Sequence, residues 1–554
     1  MKFTLVDWFV HALGYLRSRS RGNAVTSNST GTPSNLASSG YRPDIDGLRA
    51  LAVLAVWAFH LDPHWLGGGF VGVDVFFVVS GYVVTSSLSN FETQSIGSAL
   101  TAFYSRRMKR LIPALLVCAV GVSLVWSFFT APFPDEISNA AYRTGITSLV
   151  GLGNMYLAKS SHDYFDGDEI PNPFTHTWSL GVEEQFYFVF PLIVFACGAI
   201  VRRERANHVR LAFVLALSAG SLVLCAHWSH QNTAFAYYLM PSRFWELGVG
   251  CALAFADKLG YLARFSAHRQ VQSHLPIASM VVLAFSAKYT SASHFPFPGA
   301  IVPVLATALL ITSSRASNSL TVRGLRLPSV VYIGKLSYSL YLWHWPIICL
   351  VNRTHRLESP WVLGATIVVT SSLCVLTHHF IEEPLRHFKI SQPRLVFAVA
   401  FGAMLVTGAG LETVRRARYS LFAGVPQNWA VDWNPHQDLL FVGDTLKPHD
   451  CHLTSGTNAP TGLADACFVS SQSTTRRRLF LVGDSHAFAD GPMVQAGVKA
   501  DSYDLYTLSH DECGVFNDKP EVEASCARYW RHVHELLTNE VHAGDIVFLA
   551  TYIR

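Results

Sequence analysis

The chain has 554 residues, half of them apolar, with only 14% charged residues and a positive mean hydropathy. This size and composition exclude a single soluble domain. The formal net charge of +4 is too small to indicate a nucleic-acid-binding protein, so the positions of the Lys and Arg residues are more informative than their sum.

Repeated apolar runs of about 17–22 residues indicate a membrane protein with many spans. Twelve candidate segments occur at 46–64, 69–88, 111–130, 138–158, 179–201, 210–228, 237–256, 275–290, 299–314, 329–350, 361–380 and 395–412. The basic clusters between them fall on one side of the membrane if 138–158, the most polar segment, does not cross. We therefore expect eleven spans, a cytoplasmic N-terminus and a tail outside the membrane.

Composition divides the chain into five predicted regions. The first is rich in Ser, Thr, Asn and Gly, which predicts disorder. In the last, 478–482 and 545–550 have the pattern of buried strands with helical segments between them, which predicts an α/β layer fold. The regions are a mostly disordered cytoplasmic tail at 1–40, a membrane domain at 41–390, a linking transmembrane helix at 391–413, an extension at 414–475 and a partial α/β domain at 476–554.

Four cysteines lie in the polar tail. Their even number and short separations predict disulfides in an oxidising compartment, with free thiols as the alternative. The favoured pairs are Cys451–Cys467 and Cys513–Cys526.

The first apolar segment carries Asp46, Arg49 and His60. Arg49 and His60 are eleven residues apart, so in a helix they point the same way to within about 20° and lie about 16 Å apart along the axis. Ionisable groups inside a membrane are costly and normally mark a polar pathway. The alternative is a snorkelling Arg at one end of a short helix and a lone His at the other.

Two further clusters carry charge at predicted membrane boundaries. Arg106, Arg107 and Arg110 form a basic cluster that either anchors the cytoplasmic side or binds a phosphorylated donor. Glu183 and Glu184 open a span on the outer side, where they need a partner or a water-filled cavity unless they simply face water.

Other polar residues give weaker signals. Arg243 and Glu246 are three apart and are expected to pair, whereas His344 and the His378-His379 pair are interpreted as interfacial residues. We find no spacing typical of a zinc or iron site and predict no metal. Ser485 follows a predicted strand, where its backbone N–H can bind an oxyanion.

Several motifs occur together and in order. They are Asp46–Ala50 with His60, Gly72–Tyr82, Phe103–Arg110, Thr177–Tyr187, Ser337–His344 and Ile381–Arg386. As a set, these motifs resemble the acyltransferase-3 family of membrane O-acyltransferases over about 42–390. The tail resembles the SGNH hydrolase-like domain that is fused to a subset of these proteins, the bacterial O-antigen (lipopolysaccharide) acetyltransferases.

The resemblance implies a multi-span α-helical membrane domain of about ten spans plus one linking span, followed by a periplasmic α/β SGNH-hydrolase-like domain. It implies transfer of an acetyl group from cytoplasmic acetyl-CoA, across the bacterial inner membrane, to a hydroxyl of a cell-surface or lipid-linked glycan such as O-antigen.

By the same resemblance, His60 is the essential histidine, with Glu183 or Glu184 orienting it or the sugar. Arg49, Arg106, Arg107 and Arg110 hold coenzyme A, and Ser485 is the nucleophile of the tail. The Asp-x-x-His motif expected near the end of an SGNH domain does not occur within 486–554. We therefore expect a truncated SGNH-like domain, or a remnant that only binds the acceptor.

Two other functions fit part of the pattern. A transporter of a lipid-linked sugar or other solute explains the spans and the intramembrane charges, but no inverted repeat is evident. An extracytoplasmic acetyl esterase with a membrane anchor explains the tail, but eleven spans exceed what an anchor needs.

Overall fold

A computed structural model gives the fold of the chain. It describes residues 41–88, 95–130, 135–160, 172–200, 205–266, 268–354, 357, 359–388, 392–423, 452–453, 468–469, 477–483, 503–510, 530–531, 533–534, 537–538, 541–542 and 545–550. The chain divides into two compact units, Met1–Ala423 and Gly424–Arg554.

The first unit is helical. Its helices are α1 (Pro43–Leu61), α2 (Gly72–Leu88), α3 (Ile96–Phe129), α4 (Asp135–Leu149), α5 (Gly153–Ser160), α6 (Trp178–Ile200), α7 (Ala206–Gln231), α8 (Thr233–Tyr238), α9 (Met240–Lys258), α10 (Tyr261–Ser266), α11 (Arg269–Tyr289), α12 (Ile301–Ser313), α13 (Leu320–Leu325), α14 (Pro328–Thr354), α15 (Pro360–Thr377), α16 (Glu383–His387) and α17 (Pro393–Leu421). Short 3₁₀ turns precede α2 and α6, and a π-helical turn at His378–Glu382 joins α15 to α16.

Six helical segments of the described chain are long and apolar enough to cross a membrane. They are Gly69–Leu88, Ile96–Phe129, Thr175–Cys197, Ala206–Gln231, Pro360–His387 and Pro393–Arg418. Helix α1 is not among them, since its 19 residues include Asp44, Asp46 and Arg49. The protein is thus a membrane protein with several apolar helices, and the count of eleven spans stays a prediction.

The polar segment at 138–158 is not one continuous helix. It divides between α4 and α5, and Gly151 in the break has φ +70°. A left-handed backbone ends a helix and favours glycine, so the chain turns here. The last helix, α17, ends at Leu421, eight residues beyond the predicted end of the linking helix.

Glycines allow a close contact between α2 and α9. A Cβ atom at Gly81 of α2 would overlap the carbonyl oxygen of Leu247 in α9, and one at Gly250 would overlap the carbonyl oxygen of Val78. The two backbones therefore touch directly, as small residues permit between membrane helices. This contact fixes α2, and with it the side chains that α2 directs toward the site.

The second unit contains a five-stranded sheet. Strands β1 (His452–Leu453), β4 (Tyr503–His510), β3 (Arg477–Gly483) and β5 (Ile546–Ala550) lie in that order, and β2 (Phe468–Val469) pairs antiparallel with β4. Strand β3 is parallel to both β4 and β5, with Leu481 opposite Thr507 and Phe548. The two strands predicted from sequence are confirmed as β3 and β5. Ser485 and the four tail cysteines lie outside the described residues.

We predict that Gly81→Ala or Gly250→Ala destabilises the first unit by about 1–3 kcal/mol, because an added methyl overpacks the α2–α9 contact. The measurement is the thermal unfolding midpoint of the purified protein in detergent. Gly220→Ala in α7 is the matched control, since its Cβ meets no atom within 4 Å. Unchanged midpoints for both packed positions would contradict the close contact.

Candidate active site

A cavity of about 1080 Å³ opens within the first unit. Its wall is built by α1, α2, α3, α6 and α14 together with the π-helical turn and α16. The volume is at the upper end of pockets that bind small molecules and cofactors. The residues that matter below are Asp46, Arg49, Ser80, Arg107, Arg110, Ser179, Glu183, Tyr187, Tyr341, His378, Glu382 and Arg386.

Three of the four predicted cofactor-binding arginines line this cavity. Arg49 contacts Asp46, with 3.2 Å between Nη1 and Oδ1, and the Arg107 guanidinium lies 4.0 Å from the centroid of the Tyr187 ring. Within the described part of the chain, Arg110 Nε is buried and has no hydrogen-bond acceptor. A buried guanidinium donor without an acceptor is an unusual and costly arrangement that a bound anion would satisfy.

Arg106 lies elsewhere. It is exposed and does not line the cavity, although it is adjacent to Arg107 in sequence. Consecutive helical residues point about 100° apart, so one helix face cannot present both side chains equally. Further cations at the cavity come from other elements, namely Arg42, Arg315, Lys335 and Arg386.

Glu183 is held by two hydroxyl groups. Ser80 Oγ donates to Glu183 Oε1 at 2.6 Å, and the Tyr187 hydroxyl donates to Oε2 at 2.8 Å. Tyr187 also lies beneath Arg107, so one aromatic residue positions both the acid and the cation. The sequence analysis did not identify Ser80 or Tyr187 individually, although the i,i+4 spacing of Glu183 and Tyr187 is a usable signal.

Glu184 faces away from the cavity. A Cβ atom at Gly151 would lie 2.6 Å from Glu184 Oε2, so this acid packs against the turn between α4 and α5. Gln185 Nε2 donates to the Gly151 carbonyl at 2.9 Å and fixes the same turn. The two adjacent acids therefore occupy different environments.

His60 belongs to a cluster of histidines rather than to the cavity wall. Its Nδ1 lies 3.0 Å from His344 Nε2, and the two rings stack with 5.1 Å between centroids. The ring of His176 lies 5.7 Å from that of His344. Tyr341 lies between the cavity and the cluster, because it lines the cavity and its ring is 5.3 Å from the His344 ring.

Arg49 and His60 thus lie at two neighbouring places along one helix, the cavity and the histidine cluster. Arg49 points into the cavity, and His60 lies three turns farther along α1, next to His344. His344 is fully buried inside the helical unit, and the sequence analysis did not predict its contact with His60. The signal that was missed is that Tyr341 and His344 are three residues apart on one helix.

A second acid and histidine line the cavity on the π-helical turn. His378 Nδ1 is 3.0 Å from Glu382 Oε2, and Ser339 Oγ donates to the same oxygen at 3.0 Å. His378 is therefore buried and paired with an acid that the sequence analysis did not assign to it. π-Helical turns occur frequently at functional sites.

Arg243 forms a separate buried cluster. The predicted pairing with Glu246 is confirmed, with 3.0 Å between Nε and Oε1, and Asp74 joins it at 2.8 Å from Nη2. All three are fully buried, so the ion contacts compensate the charges inside the helical unit. Among the described residues, no three His, Cys, Asp or Glu side chains are arranged to hold a metal ion.

The helices of the first unit thus bury a cation-lined cavity next to a paired histidine. Residues 42–379 match the family described as Acyltransferase domain, and residues 450–554 match the one described as SGNH domain (fused to AT3 domains). The first match covers more than half of the chain. The chain therefore belongs to this acyltransferase family and carries the fused SGNH domain.

Individual relatives match 62% of the chain. The chain is similar to the O-acetyltransferase OatA of Staphylococcus aureus (strain NCTC 8325 / PS 47), at 33% identity over 362 residues, which are 62% of this chain and 57% of that protein. It is also similar to the peptidoglycan O-acetyltransferase OatA of Listeria monocytogenes, at 32% identity over 354 residues, which are 62% of this chain and 56% of the relative. The chain thus spans little more than half the length of these relatives. No solved structure matches it.

We predict that Gly151→Ala destabilises the protein more than Gly260→Ala. Both glycines have positive φ, of +70° and +76°, so each substitution carries about 1–2 kcal/mol of backbone strain. Only at position 151 does the new methyl also displace Glu184, whereas position 260 is open. Thermal unfolding of the two variants in detergent makes the comparison, and equal midpoints would show that Glu184 does not pack on this turn.

Proposed function

We propose that the protein is a membrane O-acetyltransferase that moves an acetyl group from acetyl-CoA to a hydroxyl of a cell-surface polysaccharide. The observation that carries the proposal is the geometry of α1, which directs Arg49 into a cation-lined cavity and presents His60 just beyond the Tyr341 wall of that cavity. This arrangement supports a donor pocket beside a base. The relatives named O-acetyltransferases support the same reaction.

The donor is proposed to bind in the cavity. Coenzyme A carries several phosphate charges, and guanidinium groups bind phosphates through paired hydrogen bonds. Arg110 offers a buried Nε donor that needs an acceptor, and Arg107 is held in place by Tyr187. Glu183 is assigned an orienting role, because Ser80 and Tyr187 fix its carboxylate in the cavity wall.

The base is proposed to be His60. An imidazole next to the acyl carbon takes the proton of the acceptor hydroxyl as the oxygen attacks, and such general-base catalysis contributes about 10²–10⁴-fold. Tyr341 and Ser179 both line the cavity, and their hydroxyl oxygens are 2.7 Å apart. The two side chains form the wall between the proposed phosphate-binding region and the histidines. The acetyl end of a bound donor would have to pass this wall to reach His60.

The acceptor is proposed to be a polysaccharide outside the bacterial inner membrane, with the N-terminus in the cytoplasm as the basic clusters predict. The fused SGNH domain favours a final transfer step through Ser485 in a complete protein, one that supplies the Asp-x-x-His partners not found within 486–554. The resemblance of the tail favours O-antigen, whereas the Listeria relative is a peptidoglycan O-acetyltransferase. Both acceptors offer sugar hydroxyls, so an acetylation measurement has to include both glycans.

We predict that expression of the protein in a cell lacking it adds acetyl esters to a surface glycan. The measurement is the acetyl content of isolated peptidoglycan and of lipopolysaccharide polysaccharide by NMR, and the glycan that gains acetyl esters identifies the acceptor. His60→Ala should remove the gain, whereas His227→Ala on the exposed surface of α7 should retain it. Full acetylation by the His60→Ala variant would contradict the proposed role of His60 as the base.

We further predict that Arg107→Ala and Arg110→Ala each raise the KM for acetyl-CoA by about 10–100-fold, because a hydrogen bond to a charged group contributes about 1.5–3 kcal/mol. Arg106→Ala is the matched comparison on the same helix and should leave this KM within about threefold of wild type, since it lies off the cavity. The assay is coenzyme A release in detergent or reconstituted vesicles. Equal effects of the Arg106 and Arg107 substitutions would place the phosphates elsewhere.

A further inference from the structure

We propose that His344 is a positioning residue that fixes the tautomer of His60, so that Nε2 of His60 is its basic nitrogen. The inference rests on the proposed function in one respect, namely that His60 is the base. The hydrogen-bond chain itself is a property of the structure.

The chain begins at a backbone carbonyl group. His344 Nδ1 lies 2.7 Å from the carbonyl oxygen of Tyr341, one turn earlier on α14. A carbonyl oxygen can only accept, so His344 Nδ1 must carry a proton. The direction of this first hydrogen bond is therefore determined without seeing the hydrogen atoms.

The second bond follows from the first. His344 is fully buried, and its described contacts are aromatic rings, the backbone carbonyl groups of Tyr341 and Leu340, and His60, with no carboxylate among them. An uncompensated imidazolium ion would be costly there, so His344 is neutral and its Nε2 is an acceptor. His60 Nδ1, at 3.0 Å, must then donate to it. A neutral His60 with its proton on Nδ1 has its lone pair on Nε2.

The surroundings keep His344 in this orientation. The Tyr341 hydroxyl donates to the His176 carbonyl oxygen at 2.9 Å, and Tyr341 is part of the same turn as His344. The Trp345 ring packs 4.6 Å from the ring of His60. The group that fixes the tautomer is thus the neutral imidazole of His344. In the Ser-His-Asp triad, a carboxylate fixes the tautomer of the histidine instead.

The tautomer sets the direction of proton transfer. The acceptor hydroxyl gives its proton to His60 Nε2 while its oxygen forms a bond to the acetyl carbon. The carbon–sulfur bond breaks, and the coenzyme A thiolate takes the proton from His60 Nε2–H. The base is regenerated and the step balances. With the other tautomer, Nε2 would already carry a proton and could not accept one.

Two isosteric variants test the proposal. In His344→Gln, the side-chain oxygen reaches the position of Nε2 and can accept from His60, whereas the shorter side chain of His344→Asn reaches only the position of Nδ1. We expect His344→Asn to lower kcat by about 10²-fold or more with the KM for acetyl-CoA within about threefold of wild type. His344→Gln should recover at least a tenth of the wild-type kcat. Equal losses in the two variants, or a rise in KM with kcat retained, would overturn the assignment.

A second measurement needs neither variant nor activity. Wild-type protein labelled with ¹⁵N-histidine is compared with His60→Gln by solid-state NMR, and the difference spectrum gives the His60 nitrogen shifts. We expect a protonated Nδ1 and an unprotonated Nε2, and the opposite pattern would refute the proposal even if both His344 variants failed to fold. If wild type transferred no acetyl group but showed this tautomer, the proposed function would fail while the hydrogen-bond chain stood.

Discussion

The structure depends on the cost of placing ionisable side chains inside a membrane. Each such group that the chain carries has to be compensated by a neighbour, and the compensation decides which helices pack together. Arg243 of α9 joins Asp74 of α2, and Glu183 of α6 accepts hydrogen bonds from Ser80 of α2. Helix α2 is therefore held against α9 by an ion contact and direct backbone contact, and against α6 by the hydrogen bond from Ser80.

This constraint also separates the two parts of the site. The cations line a polar cavity where anionic groups can compensate them, and His60 is paired with another imidazole, which we infer to be uncharged. A cation beside the histidines would oppose protonation of the base, and an acid there would hold the base protonated at rest. A neutral partner leaves His60 uncharged until a proton arrives, which is the state that a general base requires.

Much of the site was predictable because helical spacing is a strong constraint. The eleven-residue separation of Arg49 and His60 correctly placed both on the inward side of α1, and the i,i+3 spacing identified the Arg243–Glu246 pair. What spacing cannot give is the partner from another helix. Ser80, Asp74 and His344 come from elements far away in sequence from their partners, and only the packing shows that these partners are Glu183, Arg243 and His60. The same limit explains why Arg106 and Arg107 were grouped together, although adjacent helical residues diverge.

The fold shows a similar division between local and non-local information. Strands β3 and β5 were predictable from their apolar runs, but the parallel pairing of β3 with β4 and with β5 joins residues more than twenty positions apart. In the membrane unit, the only sequence signal for the turn at Gly151 was the polarity of 138–158. Its structural role, which is to make room for Glu184, requires knowing where α6 lies. Glu184 packs against the turn at Gly151, and Glu183, the preceding residue, lines the cavity. The packing of this turn therefore accounts for which of the two adjacent acids is able to contact a ligand.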